Sequence, residues 1–428
     1  MKNKRKEYYK KLQMEKIAEQ VRKELLQQHD SLSAAVSPQE RDAARTSGPG
    51  TETGLLIDFL EKRHDFRYNV VMGYAEYRDK GNHDTPWLPV DERVANTLTM
   101  DARLNGICVW DKEVKRYLGS NHLKDFNPIT SYIDKVRGCW DGHDHIADLA
   151  SCVKTTCRQW PQWLRRWLLA MVAQWTGRNK DYGNAMAPLL ISEQGYGKST
   201  FCKAIIPKEL SWGYIDNIVM AEKKQVLCAM TEMLLINLDE FNQISPSLQS
   251  GFLKNVIQLA TVKVKRPYGR HVEEFKRLAS FIATTNMADV LTDPSGNRRF
   301  MGIEIVEPID MTHMPKHQQL YAQIVHLLEQ GERYWFDTEE TMTIMNHNKQ
   351  YKQKSASETF FNEFFEVTQN EQEGCYMSTA QIYDTIRRKA GSRISERNII
   401  NFGRMLAHTE GIVRRRGKRG SEYLVKLR

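Results

Sequence analysis

The sequence predicts an α/β protein: a phosphate-loop core on a mainly parallel sheet, a helical N-terminal region and a small C-terminal winged helix. Three observations carry this reading. From about Ala187 to Val306, short apolar runs alternate with helical stretches, as parallel strands do with their crossover helices. One of these runs, Pro188-Leu-Leu-Ile191, opens into a Gly-rich segment ending in Gly-Lys-Ser-Thr. The last fifty residues read helix, helix, hairpin.

In chain order, residues 1–28 form a basic amphipathic helix with Met14, Ile17, Val21 and Leu25 on one stripe. Residues 29–53, rich in Ser, Ala, Gly, Thr and Pro, are a flexible linker. Residues 54–158 form an α/β domain rich in Trp, Tyr and Leu, with the Trp140-Asp-Gly142 turn near its end; its role is not legible. Residues 159–350 are the phosphate-loop core. Its helical lead-in is opened by Pro161 and carries Trp163, Leu164, Trp167, Leu168, Met171, Val172 and Trp175 on one face. Its helical extension runs through Leu320, Ile324, Leu327 and Leu328. Residues 351–376 read as a connector, and residues 377–428 as the winged helix.

Composition narrows the class. With 41% hydrophobic, 27% charged and 10% aromatic residues, the 428-residue chain is neither disordered nor a membrane protein. Its longest apolar run, Trp167 to Ala173, falls far short of the roughly 20 residues that span a bilayer. Seven cysteines fit reduced thiols, so the cytoplasm is the expected compartment. The net charge is +9, unevenly spread: residues 376–428 net +9, residues 1–28 net +5, and the middle is mildly acidic. Two basic ends suggest nucleic acid as partner; plain solvated charge is the alternative.

The loop Ser192-Glu-Gln-Gly-Tyr-Gly-Lys-Ser-Thr200 matches the P-loop formula except that Ser192 takes the first glycine's place. Gln194, Gly195, Tyr196, Gly197, Lys198, Ser199 and Thr200 then cradle phosphates: the glycines let backbone N–H groups turn inward, Lys198 reaches the β/γ oxygens and Ser199 holds Mg²⁺. A second apolar strand, Met233 to Leu238, ends in Asp239-Glu240. The first carboxylate suits Mg²⁺ and the second a water-activating base, against the plainer reading of a surface pair ending a strand. A third strand, Ser280 to Thr284, precedes Asn286, which could hold water or a γ-phosphate from the side. Arg298 and Arg299 follow in Gly296-Asn-Arg-Arg-Phe300.

Together with Arg266-Pro-Tyr-Gly-Arg270, Trp140-Asp-Gly142 and Gln319-Leu-Tyr-Ala-Gln-Ile, these segments resemble the virulence-associated E family of phage and mobile-element ATPases. The resemblance covers roughly residues 60–340. It implies a superfamily 3-like AAA+ ATPase that hydrolyses ATP with Mg²⁺: Lys198 and Ser199 as Walker A, Asp239 and Glu240 as Walker B, Asn286 as sensor, and Arg298 or Arg299 as arginine finger. A finger acting in trans implies a homo-oligomeric ring, expected to be a hexamer. The expected function is an ATP-dependent DNA helicase or replication initiator of a mobile element. The alternatives are an ATP-gated DNA-binding switch or helicase-loader-like protein without unwinding activity and, less favoured, a small-molecule P-loop kinase. No Asp-x-Asp metal pair stands before Trp140, so priming falls to a separate primase.

Two segments are DNA-contact candidates. Val262 to Arg270 reads as a hairpin with Lys263, Lys265, Arg266 and Arg270 for phosphates and Tyr268 for base stacking. Superfamily 3 helicases place a basic hairpin here; subunit ion pairs or contact with nucleotide for Arg266 and Arg270 are the alternative. In the C-terminal unit, Arg393, Arg397 and Arg404 would lie along a recognition helix capped by Ser395, and Arg414, Arg415, Arg416, Lys418 and Arg419 on the wing, facing duplex DNA. His143 and His145 lack a cysteine or second cluster at zinc spacing and read as a polar turn.

Overall fold

The computed structural model describes residues 51–81, 85–179, 183–266, 271–292, 297–353, 356–391, 399–407, 409, 411–417 and 420–428. The N-terminal helix expected over 1–28 lies outside them, as do nearly all of the linker, Ser395, Tyr268, Arg270, Arg393, Arg397, Lys418 and Arg419. Among the described residues no helix is long and apolar enough to cross a membrane.

The chain divides into two compact units, residues 1–126 and 127–428. The first begins with α1 (Glu52–Arg63), capped by the Thr51 hydroxyl, which accepts from the Gly54 amide. Strands β1 (His64–Asn69), β2 (Tyr74–Asp79) and β3 (Leu88–Pro89) follow, then α2 (Glu92–Leu104), α3 (Asp111–Leu118) and β4 (Asp125–Phe126). The sheet order is β3-β2-β1-β4, with β1 and β4 parallel and the other pairs antiparallel. Period-2 alternation in β1 sends Phe66 and Tyr68 onto the core of Leu56, Leu60, Leu98, Val114 and Leu118.

The second unit opens with α4 (Pro128–Val136), α5 (His145–Ser151) and α6 (Trp160–Trp175), which leads into β5 (Ala187–Ile191) and α7 (Lys198–Ile205). Then come β6 (Tyr214–Ile215), α8 (Lys223–Glu232), β7 (Leu235–Leu238), a two-stranded ribbon of β8 (Thr261–Val264) and β9 (Glu273–Lys276), β10 (Ser280–Thr285), β11 (Phe300–Glu304) and α9 (His317–Glu329). Strands β11-β5-β10-β7-β6 form one sheet, parallel throughout. β5, β7 and β10 are buried at every residue, so they carry no charged residue and show no alternation of apolar and charged positions.

Two boundaries differ from the sequence expectation. The first unit ends at Phe126 rather than 158, because α4 and α5 belong to the core: Tyr132 of α4 meets Tyr321 of α9 edge-on, and Gln323 of α9 accepts from the Ile146 amide of α5. The expected connector over 351–376 contains α10 (Ala356–Phe364), β12 (Phe365–Val367) and β13 (Cys375–Ser378). Phe361 and Phe365 are buried in a C-terminal core of the second unit with Ile382, Tyr383, Phe402, Leu406 and Tyr423, so this stretch packs with the C-terminal residues. That unit continues with α11 (Thr379–Ala390), α12 (Ile399–Ala407), β14 (Arg414–Gly417) and β15 (Gly420–Leu427), β15 pairing antiparallel with β12, β13 and β14. The lead-in α6 is also more than amphipathic: Leu169, Ala170, Ala173 and Gln174 are buried beside the expected face. Gln174 is accommodated because its amide donates to the Leu278 and Ala279 carbonyls and accepts from the Asn184 amide.

Candidate nucleotide site

A parallel sheet sets the C-terminal ends of its strands side by side, and here those of β5, β10 and β7 carry the chemistry. The turn after β5 needs left-handed backbone at Gly195 (φ 88°) and Gly197 (φ 83°), which a side chain would strain. Ser192 keeps a negative φ, so its position makes no demand for glycine. α7 is fixed at both ends: the Ile309 amide donates to the Tyr196 carbonyl before it, and Tyr321 Oη and His317 Nε2 reach the Ile205 and Ala204 carbonyls at its last turn.

Lys198 is buried, and its Nζ lies 2.9 Å from both the carbonyl and the hydroxyl oxygen of Ser192, 2.8 Å from the Glu193 carbonyl and 2.9 Å from Asn286 Oδ1. An ammonium has three donors, so four acceptors form a nest it shares among them. Burial pushes the Lys198 ammonium below its ordinary value, with the Asp239 charge opposing. The serine that replaces the formula's glycine thus supplies two of the lysine's acceptors.

Asp239 accepts from Ser199 Oγ at 3.1 Å and from the Thr284 hydroxyl. A hydroxyl beside a carboxylate is a hard-oxygen donor set of the kind Mg²⁺ takes. Glu240 sits in left-handed backbone (φ 49°), unusual for a residue with a Cβ, and accepts from the Gln243 side chain. Residues 194–200 line one cavity of about 230 Å³ with Asp239, Glu240, Thr284, Thr285 and Asn286. Thr284 and Thr285 stand in the Thr284-Thr-Asn286 segment that contributes to the family resemblance, but the sequence reading gives neither of them a site role. The signal for Thr284 was its position at the C-terminal end of β10, two residues before Asn286.

Arg298 and Arg299 do not reach this cavity. They precede β11, whose first residue Phe300 pairs with Ala187 at the start of β5, a strand length of about 13 Å from its loop end. Both line a separate cavity with Asn184, Gln258, Tyr334 and Trp335, and Arg299 donates to Gln258.

The expected hairpin strands exist as β8 and β9, with Lys263 opposite Glu274. Their Nζ and Oε2 atoms are 3.8 Å apart and exposed. Lys265 is exposed. Arg266 is not a free cation: it donates to the Thr231 carbonyl at 3.1 Å, lies 3.5 Å from Glu232 and stacks 4.1 Å over Phe275. Arg277, which the sequence reading did not single out, is fully buried; it donates to the carbonyls of Ala279, Ile257, Leu259 and Asn184, and burial pushes its guanidinium down to about 9. In the C-terminal unit Arg404, Arg414, Arg415 and Arg416 are exposed. Arg414 donates to Ser421 Oγ, and Arg415 pairs with Glu422 at 2.9 Å and stacks on Tyr376 at 3.6 Å.

No curated protein matches the chain. Among solved structures, the apo NrS-1 C-terminal region is 14% identical, with 89% of this chain and all of that one covered and a TM-score of 0.45. A structure described as SCCmec type IV Cch, active helicase, is 10% identical, covering 85% of this chain and 92% of that one with a TM-score of 0.35. A domain of unknown function from B. Theta, DUF3874, matches residues 354–425, the span from α10 to β15. The virulence-associated protein E-like domain matches residues 133–373, more than half of the chain, from α4 through the loop, both carboxylates and Asn286. The chain belongs to the virulence-associated protein E-like family.

Proposed function

We propose that this chain is an ATP-dependent DNA helicase or replication-initiator ATPase of a phage or mobile element, assembled as a homo-oligomeric ring with six subunits the expected number. The observation that carries the reading is the convergence of Lys198, Ser199, Asp239, Glu240 and Asn286 on one cavity at the loop end of a parallel sheet. A triphosphate entering the loop takes over the Lys198 ammonium from its four intrachain acceptors. Ser199 and Asp239 would hold Mg²⁺, which would supply positive charge against the triphosphate. Glu240 takes the proton of the attacking water, and Asn286 positions the water or the γ-phosphate. Arg298 or Arg299, a strand length away from its own loop, serves a neighbouring subunit's cavity, which supports a site completed in trans. The C-terminal unit acts as a winged helix on duplex DNA, the hairpin grips the single strand in the ring, and a separate protein supplies the primase.

A second reading, an ATP-gated DNA-binding switch without unwinding, draws on one observation: Arg266 and Lys263 of the hairpin each face a carboxylate, leaving few cations for a strand. ATP hydrolysis with and without single-stranded DNA, together with unwinding of a forked duplex, separates the two. The helicase reading expects DNA-stimulated hydrolysis and unwinding; hydrolysis without unwinding selects the switch. Lys198→Ala lowers hydrolysis by about 10²–10³-fold or more, the scale of removing a preorganised donor from a transition-state charge. Unchanged turnover in that variant overturns the site.

A further inference from the structure

Away from the nucleotide cavity, the turn into α5 gathers a second set of ligand-type atoms. The sequence offers only His143 and His145, without a cysteine at zinc spacing. Folding adds Asp148, three residues after His145 and so on the same face of α5. His143 Nε2 lies 2.8 Å from Asp148 Oδ2, and His145 Nδ1 lies 3.8 Å from the same oxygen. One ligand atom from each of the three falls within 4.8 Å of the others.

The arrangement around them is ordered for ligation. His145 Nε2 lies 2.9 Å from Asp141 Oδ1, which places the ring proton on that nitrogen and leaves the Nδ1 lone pair toward Asp148. A carboxylate on the outer nitrogen of an imidazole is the usual means of fixing a ligating histidine. The backbone is braced as well: Trp140 Nε1 donates to the His143 carbonyl at 2.7 Å, and Gln319 and Gln323 of α9 accept from the Asp141 and Ile146 amides. Gln323 also donates to Asp144, the cap of α5. His145 is nearly buried while His143 stands open, so the cluster has a fixed floor and a solvent-facing side.

We propose that His143, His145 and Asp148 form a site for a divalent transition metal of the zinc class, with Asp141 as the residue that positions His145. Two imidazoles and one carboxylate, with room for water, make a borderline donor set that suits Zn²⁺. Mg²⁺ prefers an all-oxygen shell and is not held here. The chain therefore sorts two cations by donor chemistry, hard oxygens at Ser199 and Asp239 and imidazoles at the turn into α5. The site's role is to pin this turn to the start of α5.

The test is calorimetric titration of the full chain with Zn²⁺ in buffer containing Mg²⁺, paired with visible absorption of added Co²⁺. One saturable equivalent is expected, with no thiolate-to-Co²⁺ charge-transfer band. Zn²⁺ should raise the melting temperature of the parent chain. His143→Ala, whose ring is exposed, and Asp148→Ala each abolish that equivalent, and His143→Ala keeps the parent's ATP hydrolysis as a check on folding. Asp141→Asn keeps the stoichiometry but weakens affinity about 10–100-fold, the usual loss when a ligating histidine's partner is removed. The absence of a saturable equivalent overturns the proposal. So does an equivalent that survives both alanine variants, or a cysteine-type Co²⁺ band.

Discussion

At the candidate nucleotide cavity, charged side chains are held by neutral polar ones from the loop, from α7 and from the end of β10. Asn286 and Ser192 hold Lys198, and Ser199 and Thr284 hold Asp239. At the hairpin and the C-terminal strand, charged side chains are held by others of opposite sign: Arg266 by Glu232, Lys263 by Glu274, Arg415 by Glu422. The first arrangement orients charge and leaves it available to a ligand, whereas the second spends part of it within the chain. A count of lysines and arginines is therefore an upper bound on what a basic segment offers a polyanion, while the phosphate-loop segment lines one cavity with the two carboxylates that follow β7.

The largest effect expected from this contrast lies at Arg298 and Arg299. With the site completed in trans as proposed, replacing Arg298 and Arg299 with alanine, each alone, should in at least one case lower hydrolysis about 10³–10⁵-fold. Mixing that variant with Lys198→Ala subunits restores part of the activity, since a mixed interface joins an intact loop to an intact arginine; no recovery in confirmed mixed assemblies returns the site to a single subunit. Next is Glu240→Gln, which keeps nucleotide binding but slows hydrolysis about 10²–10⁴-fold, the contribution of a positioned base; equal turnover by phosphate release removes Glu240 from that role.

The hairpin gives the intermediate effect. Arg266→Ala destabilises the chain by about 1.5–3 kcal/mol, the range for hydrogen bonds to a charged group, visible as a lower melting temperature. Lys265→Ala leaves the melt unchanged and weakens DNA-stimulated hydrolysis. Identical melts for the two variants erase the distinction drawn between them. The smallest effect is at the wing. Arg416 is exposed and pairs with no carboxylate among the described residues, so Arg416→Ala should flatten the slope of log K for duplex binding against log salt by about 0.9, one phosphate contact. Arg415→Ala, already paired with Glu422, should change it less.

What was legible follows the same division. The strands β5, β7 and β10 announce themselves because burial on both faces forces runs without a charged residue, wholly apolar in β5 and interrupted by Asn237 in β7 and by Ser280, Thr284 and Thr285 in β10, and the polar residues that end them fall at one sheet edge by topology alone. Residues that act across the fold were not legible. Asp148 completes a cluster with His143 only because a turn folds back on a helix, and Arg266 meets Glu232 across thirty-four residues. The connector differs from the expectation because Phe360, Phe361, Phe364 and Phe365 follow a polar stretch and pack against helices and a strand that come after them in the chain.

Arg277 has a mechanical meaning. Its guanidinium joins the carbonyls of Ile257 and Leu259, just before the ribbon, to those of Asn184, just before β5, and Ala279, just before β10. These contacts are buried, so water has no ready path to replace them. The ribbon is thus riveted to the near ends of the two strands whose far ends carry the phosphate loop and Asn286. A tug on the ribbon travels along stiff, fully packed strands rather than through loops that could stretch. Arg277→Lys, with three donors instead of five and no planar fork, loosens that rivet while keeping the charge.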